Sequence, residues 1–298
     1  MKTVIVGDTH GASKFHPEIE RELDGLVSGD VILNMGDGGD EQISHRYSKK
    51  RGATFLNKPE LYTKREIVRI IGAYNEGLKR SLDILVSYHP NVKVYFIPGN
   101  HEKKESAFVL ERGLDVQTPL EVLDYYKKTK RFEVINPYGV VPLSENWQLV
   151  GIAWFGANEE KVVFSEMNRS ISGQIRKSCY KILSAHIVPK TKFPRGKRVA
   201  FGSLGLYNFA RNMDNLRLVT GHHNHQPGWY SVDSLKYVNT GAIGSGAVVV
   251  LDKDGKIEVK GPFVTQGNIE NLRDLASTLD FLISGTDFWT KEWKENIK

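Results

Sequence analysis

Asp8 and His10 stand two apart directly behind an apolar run, T-V-I-V-G-D-T-H over residues 3–10. Carboxylate and imidazole are side chains that together bind a divalent metal. A single D-x-H is a weak signal, because both residues are common in loops that follow strands. The same construction recurs four more times. Residues 30–37 read D-V-I-L-N-M-G-D and end on Asp37, with two glycines leading on to Asp40. Residues 92–98 run into Gly99-Asn100-His101-Glu102, residues 181–186 end on His186, and residues 216–221 precede His222-His223-Asn224-His225.

Runs as apolar as these read as buried parallel strands, and ligands of open α/β sheets gather outside the carboxyl ends of such strands. Five segments thus carry Asp8, His10, Asp37, Asn100, His186 and the His223/His225 pair to one rim. Between them the spacing predicts helices. Ile19, Leu23 and Leu26 share one face. Ile67, Ile70, Ile71, Tyr74, Leu78, Leu82 and Leu85 recur at a helical period, as one long helix or two broken near Gly72 or Gly77. A helix is also expected over 105–114. Later strands are expected over 230–234, 236–239, 246–251 and 256–259, with Asp252-Lys-Asp-Gly255 as a hairpin turn. Early strands alternating with helices and later strands in hairpins predict two facing mixed sheets flanked by helices. We expect one domain over 1–265, with helical insertions near 41–91 and 103–146. A helical extension over 266–298 would pack on it, carrying Trp289 and Trp293; contact with a second copy, a homodimer, is the alternative.

Composition narrows the class. Forty per cent hydrophobic and 26% charged residues suit a globular protein. No charged and then apolar leader opens the chain, and no stretch reaches the length of a membrane span. The single cysteine, Cys179, excludes an intrachain disulfide and suits a reducing, cytoplasmic setting. Of the net +6, much lies between Glu166 and Asp214, where ten Lys or Arg residues meet no acidic one. Lys190, Lys192, Arg195 and Arg198 could contact substrate phosphates or form a solvated basic loop.

The ordered set Asp8-x-His10, Gly36-Asp37-x-x-Asp40, Gly99-Asn100-His101-Glu102, His186 and Gly221-His222-His223-Asn224-His225 closely resembles the calcineurin-like metallophosphoesterases. The resemblance extends over about the first 245 residues. It implies a four-layer α-β-β-α sandwich and hydrolysis of a phosphomonoester or phosphodiester by a hydroxide bridging two divalent ions. Manganese is favoured, with Fe, Zn, Co or Ni as alternatives. By the same resemblance Asp8, His10 and His225 would hold one ion, Asn100, His186 and His223 the other, and Asp37 both. His101 would serve as general acid or charged stabiliser, with Asp40 as its carboxylate partner. His16, His45 and His89 stand outside every motif and read as surface or structural residues, with His45, close to Asp40 in sequence, the one that could also reach the site.

Two departures qualify the match. Three histidines stand where the family has Gly-His-x-His, so His222 is an alternative to His223 as ligand. The arginine that follows the Asp40 position in phosphoprotein phosphatases is Glu41 here, which argues against that substrate class. A phosphorylated small molecule or nucleic acid is the expected substrate, with no membrane partner. The competing reading is a catalytically inactive scaffold of the same fold that binds another protein, against which the full ligand set and His101 count.

Overall fold

Alternation along the strands sets the layers. In the first strand Val4 and Val6 turn to one side and Ile5 to the other, all fully buried, so both faces of this sheet must be covered. A computed structural model describes residues 1–128, 131–156, 158–187, 203–221, 228–232, 235–241, 248–261 and 265–268. Strand β1 (Thr3–Val6) leads through α1 (Pro17–Asp24) to β2 (Val31–Asn34). Helices α2 (Gln42–Arg51) and α3 (Lys64–Ser87) then connect to β3 (Lys93–Phe96). Helices α4 (Asn100–Arg112) and α5 (Pro119–Lys127) connect to β4 (Phe132–Val134). The chain then crosses to β5 (Tyr138–Pro142) and β6 (Trp147–Ile152), followed by α6 (Glu160–Ile171), β7 (Tyr180–Ala185), α7 (Leu204–Arg211) and β8 (Leu216–Gly221). Five further strands close the described chain: β9 (Gly228–Val232), β10 (Leu235–Asn239), β11 (Val248–Leu251), β12 (Ile257–Lys260) and β13 (Thr265–Asn268).

Among the described residues these strands form two mixed sheets, ordered β12-β11-β1-β2-β3-β4 and β13-β9-β10-β8-β7-β6-β5. Strands β1 to β4 pair in parallel and β11 joins β1 antiparallel. In the other sheet β6, β7, β8 and β10 run parallel, so the carboxyl ends of all these strands can share a rim. Ile5, Leu33 and Tyr95 meet Leu149, Ile182 and Leu218 in the core between the sheets. Helices α1, α3 and α5 cover the outer face of the first sheet through Leu23, Leu78 and Val122, and α6 and α7 cover the second through Met167 and Leu206. Burying a side chain of this size contributes roughly 1.5–3 kcal/mol. The result is the four-layer sandwich expected from the sequence.

Helix α3 is a single unbroken helix, opened by a capping box in which Thr63 accepts from Glu66 N–H. Gly77 does not break it. A Cβ there would lie 2.3 Å from the Asp40 nitrogen, so the glycine lets the loop after β2 lie against the helix. Helix α4 starts at Asn100, five residues ahead of the expected start. The stretch 103–146 is helical only as far as Lys127 and then carries β4 and β5. The expected extension begins with the last residues of β13; residues 269–298, with Trp289 and Trp293, lie outside the described residues.

Candidate metal centre

The loops behind β1 and β2 are joined by main-chain bonds, and a buried carboxylate ties in the loop behind β3. His10 N–H donates to Asp37 O at 2.9 Å, and Gly11 N–H to Gly38 O at 2.8 Å. His10 and Asp37 both have φ of 44°, left-handed backbone that ordinary residues adopt at a cost and that clusters at functional sites. Glu102, fully buried, ties the second and third loops together. It accepts from Asp37 N at 3.0 Å, Gly38 N at 2.7 Å, Gly99 N at 2.8 Å and the Tyr74 hydroxyl at 2.6 Å. Gly99 allows a close approach, since a Cβ there would sit 2.2 Å from Asp37 Oδ1.

The functional side chains gather around Asp37. His186, at the end of β7, donates from Nδ1 to Met35 O at 2.8 Å, which turns Nε2 toward Asn100 Oδ1 at 3.0 Å and Asp37 Oδ2 at 3.3 Å. Its Nδ1 lies 3.7 Å from Asp8 Oδ1. On the other side of Asp37, Glu41 Oε1 meets His10 Nδ1 at 2.9 Å and His101 Nε2 at 3.2 Å. His101 completes its contacts with a backbone N–H to Asp37 Oδ1 at 3.0 Å and Nδ1 to Glu105 Oε1 at 3.0 Å. Its ring stacks on Tyr74, with centroids 5.9 Å apart.

Charge in this pocket is balanced by imidazoles. Burial alone would lower the pKa of His186, but the Asp37 and Asp8 charges outweigh it and raise the value to about 10. Burial likewise opposes a charged His10, and Glu41, Asp8 and Asp37 raise it to about 9. His101 is raised well above the usual histidine range against its burial, chiefly by Asp37 and Glu105. In return Asp37 is held well below the usual carboxylate range by His186 and His101, despite burial. Glu41 is also held low against burial by His10 and His101. Glu105 goes the other way: burial lifts it to about 7, with His101 offsetting part of the effect.

A pocket whose carboxylates raise His10, His101 and His186 above the usual imidazole range is one that favours cations. In each of two groups, Asp8–Asp37–His186 and Asp37–Glu41–His101, the donor atoms lie within 4.8 Å of one another, and Asp37 belongs to both. Carboxylate oxygen with imidazole nitrogen fits divalent transition metals, and one carboxylate common to two groups fits a binuclear centre.

Asp8, His10, Asp37, Asn100, His101 and His186 therefore lie together. Asp40 does not join them. Its Oδ2 pairs with Arg80 at 3.3 Å and its Oδ1 accepts from Gln42 N at 2.9 Å, so the expected Asp40–His101 pair is replaced by Glu105 and Glu41. The reason is local: the turn through Gly38 and Gly39 packs the Asp40 backbone against α3 at Gly77, and its carboxylate meets that helix's Arg80. Glu105 and Tyr74 are the site residues that motif reading missed, and it names Glu41 and Glu102 without giving them a role in the site. His16 caps α1 by accepting from Glu18 N–H, and His89 accepts from Asn91 N–H, both structural as expected. His45 is exposed but reaches Glu41 Oε2 at 3.2 Å. Lys190, Lys192, Arg195, Arg198, His222, His223 and His225 lie outside the described residues.

Two facing sheets whose strand ends gather carboxylates and imidazoles around one common aspartate define a hydrolytic, metal-dependent centre. The sequence model of the calcineurin-like phosphoesterases matches residues 1–227, and the chain belongs to that family. The phosphoester chemistry of the family and the two donor groups make it an enzyme of the metallophosphoesterase type. Solved structures agree on the fold. The protein TT1561 of Thermus thermophilus is similar at 14% identity and a TM-score of 0.50, covering 87% of this chain and 98% of its own. A second crystal structure reaches 0.52 at 13% identity with the same coverage. No curated protein matches by sequence. Among the described residues, no helix is long and apolar enough to cross a membrane.

Proposed function

We propose that this protein hydrolyses a phosphate ester of a small molecule or nucleic acid. Two divalent ions would be held by Asp8, His10, Asp37, Asn100 and His186 with His223 and His225, and His101 would serve the leaving oxygen. The presence of Asp37 in both donor groups is the observation that supports this most. The bound pair would supply Lewis acidity to the phosphate and lower the pKa of water to yield a nucleophile at neutral pH. The oxygen and imidazole donors favour manganese, with Fe, Zn, Co or Ni as alternatives.

The chain's own contribution is position. Met35 O sets the tautomer of His186, so that Nε2 faces the rim. Glu102 and Gly99 fix where the Asp37 carboxylate stands. Of the three described imidazoles nearest Asp37, His101 is the most exposed, its side chain 24% against 12% for His10 and none for His186, which supports assigning it to the leaving group rather than to a metal. Lys190, Lys192, Arg195 and Arg198 follow His186 in sequence and would meet further phosphates, which favours a nucleotide or nucleic acid. Cys179, buried and unpaired, suits a reducing cytoplasmic compartment.

The test uses chelated protein restored with Mn²⁺, assayed on p-nitrophenyl phosphate and bis-p-nitrophenyl phosphate with metal content measured alongside. Two equivalents of metal and turnover of one ester are expected. Failure of both binding and turnover would leave the inactive-scaffold reading in its place.

A further inference from the structure

We infer that Glu105 is the positioning residue for His101, taking the place that Asp40 leaves empty of function; the inference rests on the proposed role of His101. Glu105 lies on α4 four residues beyond His101, so the two side chains share a helix face. The residue is 2% exposed and its Oε1 stands 3.0 Å from His101 Nδ1. With Nδ1 held there, only Nε2 can face the rim. Tyr74 limits rotation from the other direction: its ring stacks on His101 at 26° between planes, and its hydroxyl is anchored on Glu102 at 2.6 Å. The imidazole is thus fixed on one nitrogen, on one ring face and at its own backbone N–H, which bonds Asp37 Oδ1 at 3.0 Å.

Glu41 Oε1 sits at Nε2 in this structure, and a substrate's leaving oxygen would replace it there. In the step served, the bond from phosphorus to the leaving oxygen breaks with its electron pair staying on that oxygen. A water oxygen bonds phosphorus, the Nε2 proton passes to the leaving oxygen, and the imidazole is reprotonated at the expense of the water proton. A ring free to turn would present Nε2 only part of the time, so loss of Glu105 must cost most where the proton is needed most.

The experiment compares Glu105→Leu and Glu105→Gln with the native enzyme on p-nitrophenyl phosphate and phenyl phosphate, or on the matching diesters if those are what the native enzyme turns over. Phenolate is the stronger base and depends more on the acid. Glu105→Leu should lower kcat for the phenyl ester about 10- to 100-fold, the scale set by loss of an orienting partner, with a distinctly smaller loss for the nitrophenyl ester and little change in KM. Glu105→Gln keeps an acceptor at the same reach and should recover most of the loss. Equal losses on both esters, a change confined to KM, or no loss at all would each overturn the assignment. If Glu105→Leu does not fold, as its melting curve would show, Glu105→Ala is read in its place on the same two esters, and equal losses on both, or no loss, overturn the assignment. A native enzyme that turns over neither ester counts against the phosphoesterase reading instead.

Discussion

Asp8, Asp37 and His186 are shut away from solvent, whereas His10, Glu41 and His101 keep between 12% and 24% of their side chains exposed. The two halves meet at Asp37 and are held by different means. On the inner side the main chain does the work: Met35 O fixes His186, and Glu102 fixes the Asp37 and Gly99 backbones. On the outer side one side-chain carboxylate, Glu41, takes three imidazoles, His10 and His101 on Oε1 and the exposed His45 on Oε2. The difference separates a part built to hold charge permanently from a part built to hand a hydrogen bond to something that arrives.

The strongest test of that division is Asp37→Asn. Asp37 serves both donor groups, so the variant should lose both ions, with a rate loss beyond the roughly 100-fold that follows removal of an outer partner. Metal content by plasma emission reads this directly. Retention of two equivalents would mean that Asp37 is not the common ligand.

His101→Ala probes the outer half. Loss of a general acid should lower kcat by roughly 10²- to 10⁴-fold, while metal content stays near that of the native protein. His101 also lies in the Asp37–Glu41–His101 donor group. Loss of one equivalent of metal would therefore move His101 from acid to ligand and erase the distinction between the halves.

The inner half was the more legible in sequence, for a physical reason. Asp8, Asp37, Asn100 and His186 each close an apolar run, and a run that apolar has few alternatives to a buried strand. Glu41 and Glu105 follow no such run. A carboxylate early in a polar helix looks like a solvated surface residue until the neighbouring loops are known to cover it. The i, i+4 spacing of His101 and Glu105 becomes meaningful only once α4 starts at Asn100, and placing the helix at 105 hid it. Likewise Arg80 lies forty residues beyond Asp40, on a helix whose exposed face is full of lysine and arginine, and nothing local selects it. The fold came through more completely because alternating strand residues declare both faces of a sheet.

Protonation offers a quieter comparison. In metal-free protein, His10 and His186 have pKa values raised to about 9 and about 10, above the roughly 6.5 of an unfolded histidine. Their stabilisation is therefore complete below pH about 6.5 and is lost as pH rises through the folded values. With chelator present, the melting temperature should fall between pH 7 and 10. Saturating Mn²⁺ should flatten that fall, because an ion would replace the protons and binds neutral imidazole better as pH rises. A chelated protein indifferent to pH in this window would mean that His10 and His186 carry no charge.

The smallest effect is expected at Asp40, and its smallness is the point. Asp40→Asn keeps an oxygen for Gln42 N–H and loses only the ion pair with Arg80, whose side chain is half exposed. Such pairs contribute about 0–1 kcal/mol, so thermal stability should barely move. If Glu105 rather than Asp40 orients His101, kcat should stay within about threefold of native, because the contacts of His101 with Glu105, Glu41 and Asp37 are untouched. A loss approaching that of His101→Ala would show that Asp40 reaches the imidazole during turnover. The outer half would then rearrange far more than one exchanged hydrogen bond.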